Sequence, residues 1–171
     1  GNVFAVDANG HVHQEHDGEW SVALVDPAVV LLGVWGTSSS DVWVTGTFGT
    51  TYHFDGGAWS AVSLGTEQPL AAIHGGASDD IYVGGQDGDL FHFDGTAWQS
   101  FHVVDGDAVS ALFTLGGTTW LGTHQVLELG DGAWSETITP KPADLVGIGW
   151  DGNAGIVAVG ETGLALRSEP G

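Results

Sequence analysis

An all-β repeat fold of the β-propeller type, with five blades of three to four antiparallel strands, is what this sequence predicts, and three observations carry it. Four related turns recur: His16-Asp17-Gly18-Glu19-Trp20, Phe54-Asp55-Gly56-Gly57-Ala58-Trp59, Phe93-Asp94-Gly95-Thr96-Ala97-Trp98 and Gly130-Asp131-Gly132-Ala133-Trp134. Their tryptophans stand 39, 39 and 36 residues apart by direct count, a period that belongs to stacked supersecondary units. Each interval holds four short runs rich in β-branched and aromatic residues, divided by Gly, Asp and Ser. Helical periodicity is nearly absent, and four short strands per unit is the arithmetic of one propeller blade.

The second unit, about residues 27–66, sets the pattern. Residues 31–36 make an apolar strand, 37–40 a polar turn, and 41–46 a second strand closed by glycine. Residues 50–54 alternate as strands do, Asp55-Gly56-Gly57 supplies turn residues that tolerate positive φ, and 59–63 form the fourth strand. The third unit, 67–106, repeats this with strands at 70–75, 80–85, 89–93 and 98–101. The fourth, 107–142, has 109–113, 118–122, 125–129 and 134–138, with shorter turns.

The two end units are complementary. The first, 1–26, holds equivalents of strands two to four, and the last, 143–171, holds strands one to three at 145–148, 155–160 and 163–166. About eighteen strands result. The simplest ring packs the first blade against the last and removes the open edges. An arc of a larger ring fits the ends as well, and a four-bladed ring leaves two strands over. Asp26-Pro27 and the prolines at 140 and 142 mark loops between units. Residues 1–171 are read as one domain. The absence of methionine and a start that reads as mid-strand suggest a processed product or a segment of a longer precursor.

Composition excludes several partners. Twenty-two Asp and Glu oppose two basic residues, Lys141 and Arg167, for a formal charge of −20. Phosphate binding needs a Lys/Arg footprint, so nucleic acid is excluded and an anionic membrane surface disfavoured. No run approaches the ~18 apolar residues of a membrane helix. Without cysteine there is neither a disulfide nor a thiolate metal site. The fold must rest on apolar packing, aromatics and backbone ladders, inside a solvated acidic shell.

The string from Val34-Trp35-Gly36-Thr37-Ser38-Ser39-Ser40-Asp41-Val42-Trp43 to Gly46, followed by Gly49-Thr50-Thr51-Tyr52-His53-Phe54-Asp55-Gly56, resembles tandem "WGSSASDVWAVG…GTILHYDG…W" repeats. These occur in secreted and surface-attached proteins of myxobacteria and related bacteria. The resemblance runs through all five copies and implies an exported, propeller-type repeat region, secreted or at the cell surface, joined to other modules and without an assigned activity. A looser similarity links the Asp-Gly-Trp turns to the Asp-box turns of sialidase-like propellers. The Asp-to-Trp spacing here is one or two residues short of that motif, and His53 and His92 stand where its Ser or Thr would be.

Candidate chemistry is sparse. His11, His13 and Glu15 project from one face of a strand, and a His-x-His pair can ligate zinc or copper. Asp87-Gly88-Asp89 and Asp105-Gly106-Asp107 pair carboxylates across glycine turns, a possible Ca²⁺ device that lacks the remaining ligands of a complete loop. The recurring Trp20, Trp59, Trp98 and Trp134, with Asp17, Asp55, Asp94 and Asp131, read as framework. Trp120 and Trp150 escape the pattern and are the candidate ligand-binding rings. No nucleophile elbow, phosphate loop or dinucleotide fingerprint occurs. The expectation is a non-enzymatic module that binds other protein modules or surface glycans. A multivalent lectin-like propeller is the alternative, and a carbohydrate-active hydrolase is the more distant one.

Overall fold

The computed structural model describes residues 2–130, 133–138, 145–152 and 155–167. Five antiparallel sheets follow one another along the chain. The first holds β1 (Asn2–Val6), β2 (His11–His16) and β3 (Glu19–Leu24), and the second β4 (Leu31–Ser38), β5 (Asp41–Gly46), β6 (Thr51–Phe54) and β7 (Trp59–Ala61). The third holds β8 (Leu70–Ala77), β9 (Asp80–Gly85), β10 (Asp89–Phe93) and β11 (Trp98–His102). The fourth holds β12 (Ala111–Leu115), β13 (Thr118–Gly122), β14 (Val126–Gly130) and β15 (Ala133–Ile138), and the last β16 (Leu145–Trp150), β17 (Ile156–Gly160) and β18 (Ala165–Arg167). Each sheet is a simple meander in chain order. This is a β-propeller architecture, and the only helical pieces among the described residues are two three-residue 3-10 turns, Gln86–Gly88 and Glu161–Gly163.

The second and third sheets each pair an apolar strand with a neighbour that is almost wholly buried, and β5 and β9 read as near-continuous runs for that reason. The sheets stack face to face, and the core is divided among the interfaces between them. Val12, Val29, Leu31 and Val44 fill the space between the first two sheets. Leu70, Val83 and Phe91 with Trp98 form the near face of the third sheet. Ala72, Tyr82 and Leu90 meet Val109, Leu112, Leu121 and Leu127 between the third and fourth. Val126, Leu145 and Ala158 close the fourth against the last.

One glycine device repeats with the 39-residue period. Gly10, Gly49 and Gly88 all have positive φ (76°, 66° and 75°), in the turn between the second and third strands of a unit. A β-carbon at each would lie 1.6, 1.9 and 1.7 Å from the carbonyl oxygens of Asp26, Thr66 and Val104. Only glycine lets the turn press against the segment leaving the blade. Backbone bonds seal the approach: Val25 N–H donates to Gly10 O at 2.9 Å, and Val103 N–H to Gly88 O at 3.0 Å.

Packing runs in series, β1 on β4, β4 on β8, β8 on β12 and β12 on β16. The expected closure of the first blade on the last is not seen among the described residues. Among the described residues no comparable packing joins β16, β17 or β18 to β1, β2 or β3. The exposed outer face of the first sheet follows from this. Trp20, Val22, Leu24 and Val3 are all more than half exposed there, although the same face of each later sheet is covered by the sheet before it.

Candidate functional site

The repeat builds the same aromatic groove at two blade interfaces. Trp59 stands opposite Phe54 in the β6/β7 register, with ring centroids 5.2 Å apart, and faces Phe4 and Gln14, which are themselves opposite one another on β1 and β2. With Val12 and Ser21 these residues line a groove of about 260 Å³. Trp134 stands opposite Leu129 and faces Tyr82 and His92, opposite one another on β9 and β10. Together with Leu90 and Phe101 they line a second groove of about 280 Å³. Between these two the third interface is filled. Trp98 meets Trp43 edge-on at 5.5 Å, because the indole of Trp43 occupies the space that the smaller Phe4 and Tyr82 leave open.

A second device repeats on the faces that the second and third sheets turn toward the sheet that follows. His53 Nε2 lies 2.8 Å from Asp41 Oδ1, and its ring stacks on Trp43 at 4.1 Å and 19°. One blade on, His92 Nε2 lies 2.9 Å from Asp80 Oδ1, and its ring stacks on Tyr82 at 4.2 Å and 13°. Thr37 Oγ1 also donates to Asp41 Oδ2. Burial pushes the Asp41 carboxyl up, but the Thr37 and His53 bonds outweigh it and hold the group below the usual carboxylate range. Burial and the nearby Asp80 charge push the Tyr82 phenol up.

Histidine serves as the partner of aspartate throughout, as a chain with two Lys/Arg requires. Seven of the eight histidines have a ring nitrogen within 4 Å of a carboxylate oxygen of aspartate. His74 differs. Its Nδ1 accepts the Thr114 backbone N–H at 3.0 Å, and burial pushes its pKa down, so it is neutral at neutral pH with its proton on Nε2. Its ring continues a file along the inner strands, 6.2 Å from Trp35 and 5.1 Å from Phe113.

The sequence-derived candidates are placed as follows. His11 Nδ1 and His13 Nε2 converge on Asp7 Oδ2 at 3.1 and 3.0 Å, a residue the sequence reading did not single out. Glu15 turns away and accepts the Gly18 backbone N–H. Asp89 and Asp105 share His102, Asp107 pairs with His124, and Asp87 lies in the left-handed region at φ 54°. Among the described residues no group of three or more His, Cys, Asp or Glu side chains is placed to hold a metal ion. Trp120 is half-buried and its Nε1–H donates to Glu128 Oε2 at 2.9 Å, whereas Trp150 is 42% exposed at the end of β16.

Asp55 and Asp94 cap their turns, each accepting two backbone N–H groups through one oxygen at 2.9 to 3.0 Å. Asp17 does not. Its hairpin is one residue shorter, with His16 opposite Glu19, so Asp17 itself takes the left-handed conformation at φ 52°. Trp20 is 59% exposed and does not share the inter-blade setting of Trp59, Trp98 and Trp134. Asp131 lies outside the described residues. An axial passage of about 300 Å³ between the inner strands is lined by aliphatic, glycine and alanine residues with Ser110 as its hydroxyl. That hydroxyl donates to Gly122 O and Leu145 O.

Solved propellers share this fold at low sequence identity. The chain superposes on the WD40 β-propeller domain of Doa1 with a TM-score of 0.86 at 12% identity, covering 100% of this chain and 61% of that one. The extracellular domain of BT4673 from B. thetaiotaomicron gives 0.79 at 12% identity, over 98% of this chain and 26% of that one. YCF48 bound to D1 peptide gives 0.71 at 16% identity, over 98% and 59%. The chain therefore spans between about a quarter and three fifths of these structures. No protein-family model and no curated protein matches it. No helix among the described residues is long and apolar enough to cross a membrane.

Proposed function

We propose that this chain is a non-enzymatic binding and assembly module of a secreted or cell-surface protein, with its ligand held weakly at several related inter-blade grooves. The repetition of one aromatic groove at the Phe4/Trp59 and Tyr82/Trp134 positions is the observation that carries this reading. A framework or multivalent binder repeats its contacts from blade to blade, and several weak sites gain strength by avidity. Many carboxylates that a hydrolase would need are spent on turn caps and histidine pairs. The resemblance to exported bacterial repeats and the extracellular setting of one structural neighbour support the location.

Glycan binding is the version that the groove chemistry favours. Flat aromatic faces take the apolar face of a sugar, and Gln14, Ser21 and His92 stand beside them with hydrogen-bonding groups. Screening on a glycan array, then calorimetric titration, tests it: more than one bound ligand per chain is expected. Turnover of a glycan, abolished by changing one carboxylate, would overturn the non-enzymatic reading. The structural neighbour captured with a peptide makes a short peptide library the natural parallel screen.

A further inference from the structure

The two open grooves share their rings but not their charges. The facing pairs Phe4/Gln14 and Tyr82/His92 align the first sheet with the third, and the turn tryptophans Trp59 and Trp134 align the second with the fourth. Two residues before Tyr82, on the same strand face, stands Asp80, and the matching residue before Phe4 is Asn2. Two residues after Trp134 stands Glu136, exposed and opposite Leu127, and the matching residue after Trp59 is Ala61. The strand faces that form the Tyr82/Trp134 groove therefore carry two carboxylates where those of the Phe4/Trp59 groove carry an amide and a methyl.

Four rings meet in the charged groove, those of Tyr82, His92, Phe101 and Trp134, with Leu90 and Leu129. The His92 ring lies flat on Tyr82 at 4.2 Å, and Phe101, opposite Leu90 on β11, is an exposed ring. Neither Lys nor Arg is among the lining side chains. Burial and the Asp80 charge both push the Tyr82 phenol up, so the field of that carboxylate reaches the ring. We propose that the Tyr82/Trp134 groove binds a small quaternary ammonium cation, which the Phe4/Trp59 groove does not select. This rests on the reading of the grooves as ligand sites and gives one of them a ligand class of its own.

Aromatic faces carry the negative part of the ring quadrupole and attract a cation over them. A primary ammonium needs acceptors for three N–H groups and is strongly hydrated. Two polar groups of the groove are already engaged, His92 Nε2 by Asp80 at 2.9 Å and the Tyr82 hydroxyl by Thr119. A fully methylated ammonium has no N–H to satisfy and presents methyl groups to the rings and to the two leucines. A groove of about 280 Å³ accommodates such a headgroup on a short stem. The formal charge of −20 draws a small cation to the surface and repels ligands that carry an acid group.

The test is titration of the chain with choline, followed by calorimetry and through the tryptophan indole N–H resonances. Its controls are the neutral isostere, with a quaternary carbon in place of the nitrogen, and ethanolamine, the primary ammonium. Choline should saturate at one site per chain and shift Trp134 while Trp59 and Trp98 stay unchanged. The isostere and ethanolamine should each bind at least about threefold more weakly. Glu136→Gln and Phe101→Ala, both at exposed positions, should each weaken choline binding by about twofold or more, and Ala61→Glu should give Trp59 a response that the parent lacks. Equal binding of choline and its isostere, equal shifts of Trp59 and Trp134, or no saturable binding would overturn the proposal. So would a trimethyllysine peptide that binds where choline does not, since the site would then belong to a polypeptide. Where the cation fails, a glycan that still moves Trp59 and Trp134 together leaves the multivalent reading standing, whereas silence of both rings toward glycan and cation alike overturns the two together.

Discussion

His53 and Asp41 are joined across neighbouring strands, Nε2 to Oδ1 at 2.8 Å, and the joint locks an imidazole flat against Trp43. His92 and Asp80 repeat it one blade later at 2.9 Å. A carboxylate anchored this way fixes the ring that forms part of the blade interface, so the acidic composition acts inside the repeat as well as on its surface.

His53→Ala should remove the stack and deprive Asp41 of its imidazole partner, costing about 1–3 kcal/mol. Urea denaturation followed by tryptophan fluorescence measures this directly, and His92→Ala should behave alike.

The turn tryptophans should separate by setting. Trp59→Ala, which empties a half-buried site between the first two sheets, should destabilise by about 2–4 kcal/mol. Trp20→Ala, on a 59% exposed ring, should cost less than about 1 kcal/mol. Equal costs would show that the outer face of the first sheet is covered in solution.

Glycine at position 49 is required by geometry. Gly49→Ala forces a β-carbon to within 1.9 Å of the Thr66 carbonyl oxygen at positive φ, and should lower the melting temperature by more than any exposed-loop glycine such as Gly65, which has no atom within 4 Å of such a carbon.

Two pH windows follow from the carboxylates and histidines. Asp7, Asp41, Asp55 and Asp94 are all held below their ordinary 3.8. The unfolded chain takes up these protons first, so stability is present above that range and is lost as pH falls through it. Nearer neutrality two groups oppose each other. His102, raised from 6.5 chiefly by its bond to Asp105, stabilises below 6.5 and loses that contribution as pH rises through its folded value. His74, lowered from 6.5 by burial, loses stability as pH falls through 6.5. His74→Gln should therefore make the protein gain more stability between pH 8 and 6 than the parent does, as chemical denaturation across that range would register.

The repeat, the strand count and the turns were legible because the period is written in Trp, Asp and Gly, residues whose backbone and packing demands are local. The side-chain partnerships were not. Asp7 lies four and six residues from His11 and His13 with no motif to mark it, and Asp41 meets His53 only because β5 and β6 are adjacent. Strand alternation put Glu15 on the face of His11 and His13, but the short hairpin draws its carboxylate to Gly18. Which interfaces stay open as grooves was not legible, because that depends on the size of the residue opposite each turn tryptophan, Phe4 and Tyr82 against Trp43, which is a property of the interface and not of either segment.

The most direct measurement is a titration of a binding glycan or peptide followed through the tryptophan indole N–H resonances. The repeated-groove account expects Trp59 and Trp134 to shift together with similar weak affinities, while Trp98, packed on Trp43, stays unchanged. A single saturating site that moves neither Trp59 nor Trp134, or chemical conversion of the ligand during the titration, would contradict it.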